Sequence, residues 1–282
     1  MSRLAEPHAG VLVNRLVDKE AARAVRDRAR TLPAFALAGH EAPDLELIAM
    51  GAASPLQGFM GHRDYRSVLD SLRLADGTPW PVPFTLAVTI PEMAAALRHG
   101  AAALHDGAGL LRAVIEVSDA YVRDPRGEAR ALYGTDDPTD RRVALLLSRP
   151  AGTIGGRVTA VPAAGPAARG RPPPKDVRAI ARRHRWDGLR GVATLDGGGC
   201  CLEALGGARP ALLPIPRVAV RNAPGRDAFL QAIVLKNFGA REVLFEHDRA
   251  DWLAASPRVV PEDLGLAPIW VLDVGRGSRS LR

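Results

Sequence analysis

Thirteen residues from Pro162 to Pro174 carry five prolines and no periodic apolar pattern, and the chain follows different rules on either side of them. Such a stretch can propagate neither a helix nor a strand ladder, so it reads as an interdomain linker. Upstream, Asp18 to Arg30 places Ala21, Ala22, Val25 and Ala29 at helical spacing, and Asp64 to Leu74 does the same with Tyr65, Val68, Leu69 and Leu72. Pro81 to Ile90 and Gly109 to Val122 read as strands, Ala94 to Ala103 as a helix linking them, and Gly155-Gly156 as the lead into a strand from Arg157 to Val161. Downstream, helix and strand alternate: a helix over Lys175–His184, a buried strand over Leu189–Leu195, a helix over Asp227–Phe238, and strands over Arg241–Glu246 and Ile269–Val274. The first pattern predicts a β-rich mixed domain, the second a parallel α/β sheet.

With 282 residues and 47% apolar content, the chain is long enough for two packed cores. No apolar run approaches the roughly 18–20 residues that cross a bilayer, and the first residues show no leader-like apolar stretch, so no membrane association and a cytoplasmic location are expected. The only cysteines, Cys200 and Cys201, are adjacent, which excludes a disulfide framework or a four-ligand zinc site. The histidines show no metal-ligand spacing, and no metal site is expected. A formal charge of +7 would suit a polyanionic partner. Lysines, however, are limited to Lys19, Lys175 and Lys236, and the arginines spread along an Ala-, Gly- and Pro-rich chain. No run stands out as interleaving arginine with exposed rings, so nucleic-acid binding is not expected.

Specific motifs sit on this frame. They include Pro7-His8-Ala9-Gly10 with Leu12-Val13-Asn14-Arg15, the segment Gly51-Ala-Ala-Ser-Pro-Leu-Gln-Gly-Phe-Met-Gly61, and Trp80-Pro81-Val82-Pro83. Further on come Glu128-Ala129-Arg130, Tyr133-Gly134-Thr135-Asp136 and Ile154-Gly155-Gly156. From about residue 7 to 161 the chain thereby resembles ATP sulfurylases, the sulfate adenylyltransferases. One segment departs: the family usually shows His-Pro-Gly where this chain has Asp140-Arg141-Arg142. The resemblance resumes at 219–250, with Arg221, Ala223, Arg226, Ala228, Lys236-Asn237-Phe238-Gly239 and Asp248. It implies a PUA-like β-rich domain at 1–161, the linker at 162–174, and a shortened Rossmann-like nucleotidylyltransferase domain of mixed α/β type at 175–282.

The family reaction joins ATP and sulfate into adenosine phosphosulfate and pyrophosphate. A weak dianionic nucleophile meets a polyanionic triphosphate, so positioning and charge neutralisation carry the catalysis. The resemblance implies a Gln-x-Arg-Asn grip on sulfate after the first catalytic strand and a His-x-x-His at the start of the following helix. Here Leu189–Leu195 is followed by Asp196-Gly197-Gly198-Gly199-Cys200-Cys201, with no Gln, Arg, Asn or His between Gly191 and Gly207. The aspartate would repel both substrates. The expectation is therefore a degenerate member with weak or no catalysis.

What remains are candidate remnants. The resemblance gives the alanine matching Ala223 a backbone amide for sulfate, with Arg221 nearby and Arg226 following. The family's Gly-Arg-Asp-His-Ala becomes Glu246-His247-Asp248-Arg249-Ala250, in which His247, Asp248 and Arg249 are the nucleotide-binding candidates. A nucleotide or sulfate-like oxyanion is the implied ligand. ATP and Mg2+ enter only with the family activity, and no covalent cofactor is expected. A homo-oligomer or a sulfur-assimilation partner protein is implied in the same way. Two rival readings stand beside this one: a nucleotidyltransferase with an anion site rebuilt from Arg221, Arg226, His247 and Arg249, and a non-catalytic partner or RNA-binding module using the PUA-like domain. Lys236, late in its helix, reads as structural. Gly197–Gly199 reads as a turn rather than a phosphate nest, and Cys200, placed at a helix start, as inert rather than nucleophilic.

Overall fold

The computed structural model describes residues 4–162, 171–194, 200–206, 212–246 and 270–272. Two compact units emerge: Asn14–Leu45 with Leu56–Ala168, and Met1–Val13 with Glu46–Pro55 and Arg169–Arg282. Met1–Val13 and Glu46–Pro55 thus group with the C-terminal portion.

The first unit is a six-stranded sheet flanked by helices. Helix α1 (Lys19–Ala29) is capped by the Asp18 carboxylate, which accepts from Ala21 N at 2.8 Å, and it lays Ala29 against Ala101, Ala103 and Val114. Strand β1 (Ala34–Ala36), helix α2 (Glu41–Met50), strand β2 (Gly58–Phe59), helix α3 (His62–Ser71) and strand β3 (Leu86–Val88) follow. Then come helix α4 (Ile90–His99), strands β4 (Ala101–His105) and β5 (Leu111–Val122), helices α5 (Pro125–Tyr133) and α6 (Arg141–Leu147), and strand β6 (Gly152–Ala160). The sheet order is β1-β4-β5-β6-β2, with β3 also on β6; β1 runs parallel to β4 and the other pairs are antiparallel.

Three expectations shift here. The helix expected over Ala94–Ala103 starts earlier, under a Thr89–Glu92 capping box, and stops at His99 because Gly100 turns left-handed at φ 68°. The strand expected over Pro81–Ile90 is confined to Leu86–Val88, and the preceding Trp80 and Phe84 fill the core edge-to-face at 5.4 Å. Gly155-Gly156 lie inside β6 rather than ahead of it. Close approach requires glycine here: a Cβ on Gly58 would stand 1.8 Å from the Gly156 carbonyl oxygen, and one on Gly156 would stand 1.9 Å from the Glu116 carbonyl oxygen of β5, so these motif glycines let β6 pair with β2 on one side and β5 on the other. The departure at Asp140-Arg141-Arg142 has a local purpose. Asp140 caps α6, and Arg142 pairs with it at 2.6 Å while lying 4.9 Å over the Tyr133 ring.

A buried charge holds this unit's polar interior. Arg123 and Glu128 pair at 2.9 Å with side chains 0% and 3% exposed, Tyr65 Oη donates to the same carboxylate at 3.1 Å, and Arg123 also donates to the carbonyls of Leu146, Arg149 and Pro150. With its donors matched, the pair avoids the penalty of an uncompensated interior ion.

The second unit is a five-stranded sheet with helices α7 (Pro174–Arg183) and α8 (Pro224–Phe238) packed together. Its strands are β7 (Gly188–Thr194), β8 (Cys200–Leu205), β9 (Leu212–Pro214), β10 (Glu242–Glu246) and β11 (Trp270–Leu272), in the order β11-β10-β7-β8-β9. Among the described residues the β11–β10 and β10–β7 pairings are parallel and the β7–β8 and β8–β9 pairings antiparallel, so the expected parallel sheet is mixed. Chain length dictates this: the step from Thr194 to Cys200 suffices for a hairpin but not for the crossover that parallel neighbours need. Gly191 lets α8 sit close, since a Cβ there would meet Leu235 at 2.7 Å.

Asn237, fully buried near the end of α8, explains why early residues belong to this unit. It accepts from His8 N at 2.8 Å and donates to the carbonyls of Ala52 and Ser54 at 2.9 and 3.0 Å. Ser54 in turn accepts from Val13 N at 2.8 Å and donates to Gly51 O at 2.7 Å. The Pro-His-Ala-Gly and Gly-Ala-Ala-Ser motifs thus converge on the Lys236–Gly239 motif. No helix among the described residues is long and apolar enough to cross a membrane.

Candidate functional site

Of the six candidates, Arg221, Ala223 and Arg226 come together at the start of α8, while His247, Asp248 and Arg249 lie outside the described residues. The Gly197–Gly199 turn also lies outside them.

Helix α8 begins with Pro224 after Ala223, which has no side-chain oxygen to cap the first turn. Asp227 takes over that task. From one turn inside the helix its carboxylate accepts from Arg221 N at 2.8 Å and from Ala223 N at 2.9 Å. Asn222, left-handed at φ 58°, bends the chain so that the amides of 221 and 223 face the same group. Asp227 is buried, and that burial pushes its carboxyl pKa up, against the opposing pull of the backbone amides and the Arg221 charge.

The consequence for anion binding is direct. The Ala223 amide, the atom expected to meet sulfate, is already hydrogen-bonded to a carboxylate of its own chain. Arg221 is buried and donates from Nη1 to Ala219 O at 2.5 Å, so part of its guanidinium serves the backbone. Arg226 loses hydration on burial, which lowers its pKa to about 10, and it stays cationic at neutral pH. Asp227 was not singled out by the sequence reading. Its signal was an acid in the first turn of a strong helix, where the macrodipole favours negative charge.

Lys236 stands twelve residues on from Pro224, about 18 Å along α8 at 1.5 Å per residue, and takes no part in this arrangement. Burial lowers its pKa, and Glu6 is its opposing carboxylate. Cys200 begins a strand rather than a helix, which corrects its expected placement, and burial pushes its thiol up to about 12. A thiol held protonated in that way is not an activated nucleophile. No group of three or more His, Cys, Asp or Glu is placed to hold a metal ion among the described residues.

A family profile described as a PUA-like domain matches residues 5–163. A sulfate adenylyltransferase of Symbiobacterium thermophilum is 42% identical over 191 residues, 67% of this chain and 48% of the relative, so the chain spans about half the length of that protein. Another, of Chloroflexus aurantiacus, is 32% identical over 292 residues, 88% of this chain and 74% of the relative. Among solved structures, the chain shares the fold of one titled hexameric APS kinase from Thiobacillus denitrificans, at TM-score 0.65 and 21% identity, over 99% of this chain and 62% of the other.

Proposed function

Because this chain belongs to the sulfate adenylyltransferase family, with a PUA-like domain over residues 5–163, we propose that it is a degenerate member that forms adenosine phosphosulfate weakly or not at all. On this reading residues 1–161 are the PUA-like module, 162–174 a linker, and 175–282 a shortened catalytic remnant. One observation carries it. Where the family reaction needs a strand, a cationic loop and a helix whose amino end receives phosphate, β7 leads through Asp196 and three glycines into the antiparallel strand β8. The sequence that should supply a glutamine, an arginine and two histidines supplies none, and the helix dipole that would help hold phosphate is replaced by a strand. Asp227 on the Ala223 amide supports the same conclusion.

A second reading has its own support. Arg221 and Arg226 both lie at the start of α8, and Arg226 is cationic at neutral pH, so a rebuilt anion site with His247 and Arg249 would bind a nucleotide or a sulfate-like oxyanion there. ATP and Mg2+ belong to that version. Assembly into a homo-oligomer, or with a protein of sulfur assimilation, is part of the proposal in either case, and the hexameric title of the structural neighbour supports it.

The reaction run toward ATP distinguishes the two. Purified full-length protein is given adenosine phosphosulfate, pyrophosphate and magnesium, and ATP is read out beside Arg221→Lys and Arg221→Ala with their melting temperatures. No ATP above background is the expected result. ATP formation that falls in the variants while their folding holds would overturn the degenerate reading.

A further inference from the structure

At the amino end of the second sheet, away from the strand ends considered above, α7 closes on Arg182, Arg183 and His184, and the chain turns through Arg185 and Trp186 into β7. The turn is tight. Arg185 is left-handed at φ 52°, its N–H donates to Arg182 O at 3.2 Å, and Trp186 N donates to Ala181 O at 3.1 Å. This brings the His184 and Trp186 rings into a stack, centroids 5.8 Å apart and planes 23° from parallel. Arg182, Arg183, His184 and Arg185 are exposed, and Trp186 is half-buried. Contrary to the sequence expectation, this is a run in which arginine alternates with rings.

A fourth cation joins them. Arg241, also exposed, precedes β10 and donates its N–H to Leu189 O at 3.0 Å, at the same end of the sheet because β7 and β10 are parallel. Among the described residues no carboxylate pairs with Arg182, Arg183, Arg185 or Arg241. Of the neighbouring acids, Glu242 pairs with Arg190 at 2.6 Å, and the Asp187 carboxylate lies beside Gly206. The α8 carbonyls at this end, a negative pole that would repel an anion, are covered by Arg178, which donates to Asn237 O at 2.7 Å and Lys236 O at 2.9 Å.

We propose that this end of the sheet binds single-stranded nucleic acid, the four arginines taking phosphates and the His184–Trp186 stack taking a base. Exposed cations alone attract any polyanion, but a ring stack between them matches a chain whose planar bases and phosphates alternate. A duplex hides its base faces and gains only the charge term.

The test is fluorescence anisotropy of labelled single-stranded dodecamers, oligo-U and oligo-dT, with the full-length protein across a salt series starting at about 50 mM. Both should bind within a few-fold of each other, because the site offers nothing specific to the 2′-hydroxyl, and a duplex of equal length should bind several-fold more weakly. Arg182→Ala with Arg183→Ala should weaken single-strand binding about tenfold and flatten the log–log salt slope by about 1.4, roughly 0.7 for each lost phosphate contact. His184→Ala should weaken binding with the slope unchanged. Arg23→Ala with Arg26→Ala, which removes the same charge from the exposed face of α1, should change little. Equal losses in the α1 variant, duplex binding as tight as single-strand binding, or no binding at the lowest salt would each overturn the proposal.

Discussion

An aspartate buried at the start of a helix is costly unless amides or a cation receive it, and Asp227 is received by both, through Arg221 N, Ala223 N and the Arg221 charge. Desolvation still prevails and raises its carboxyl pKa above the ordinary 3.8. The sign follows from linkage. A folded-state value above the unfolded one means that the native chain holds the proton more tightly, so the stability from this group grows as pH falls through the folded value toward 3.8 and is lost as pH rises. In urea unfolding at pH 7 and pH 5, the wild type should therefore gain stability relative to Asp227→Asn at the lower pH. Parallel profiles for the two proteins would show that Asp227 is not the buried acid described here.

At the scale of elements, most of the second unit was legible because its periodicities are strong: Asp227–Phe238 and Lys175–His184 read as helices, and Leu189–Leu195 as a strand, close to where α8, α7 and β7 lie. Strand β8 was not, since Cys200-Cys201-Leu202-Glu203 has neither charge pattern nor length to separate strand from helix, and its pairing with β7 decides the matter. Helix α5 was missed for a similar reason, its Glu128 turning inward to Arg123 where a sequence reader assigns charge to solvent. Asn237 is the clearest case of an element depending on distant chain. Asn237→Ala would strand His8 N and the carbonyls of Ala52 and Ser54 without their partner, each worth about 1–3 kcal/mol when buried. Unfolding in urea should show a loss of at least about 2 kcal/mol, and a loss below about 0.5 kcal/mol would refute its role as the common partner of the three segments.

At the scale of the molecule, the compact units cut across the order of the chain, and this has a consequence for fragments. Residues Arg169–Arg282 lack Met1–Val13 and Glu46–Pro55, which complete their unit, so that fragment expressed alone should show little cooperative unfolding by circular dichroism. Adding back a peptide of residues 1–55 should restore it in part. A cooperative melt of the fragment alone would contradict this view of the unit.

The sequence by itself determined the family, the β-rich character of the first part, the main helices of the second, and the absence of Gln, Arg, Asn and His between Gly191 and Gly207. These are local matters, written in motif identity, periodicity and residue type. Tertiary structure alone decided that the Ala223 amide is taken by Asp227, that β8 returns antiparallel, that residues 1–13 and 46–55 belong with α8, and that His184 stacks on Trp186 among exposed arginines. Each depends on which groups meet across space, and buried polar groups must find partners wherever the fold brings them.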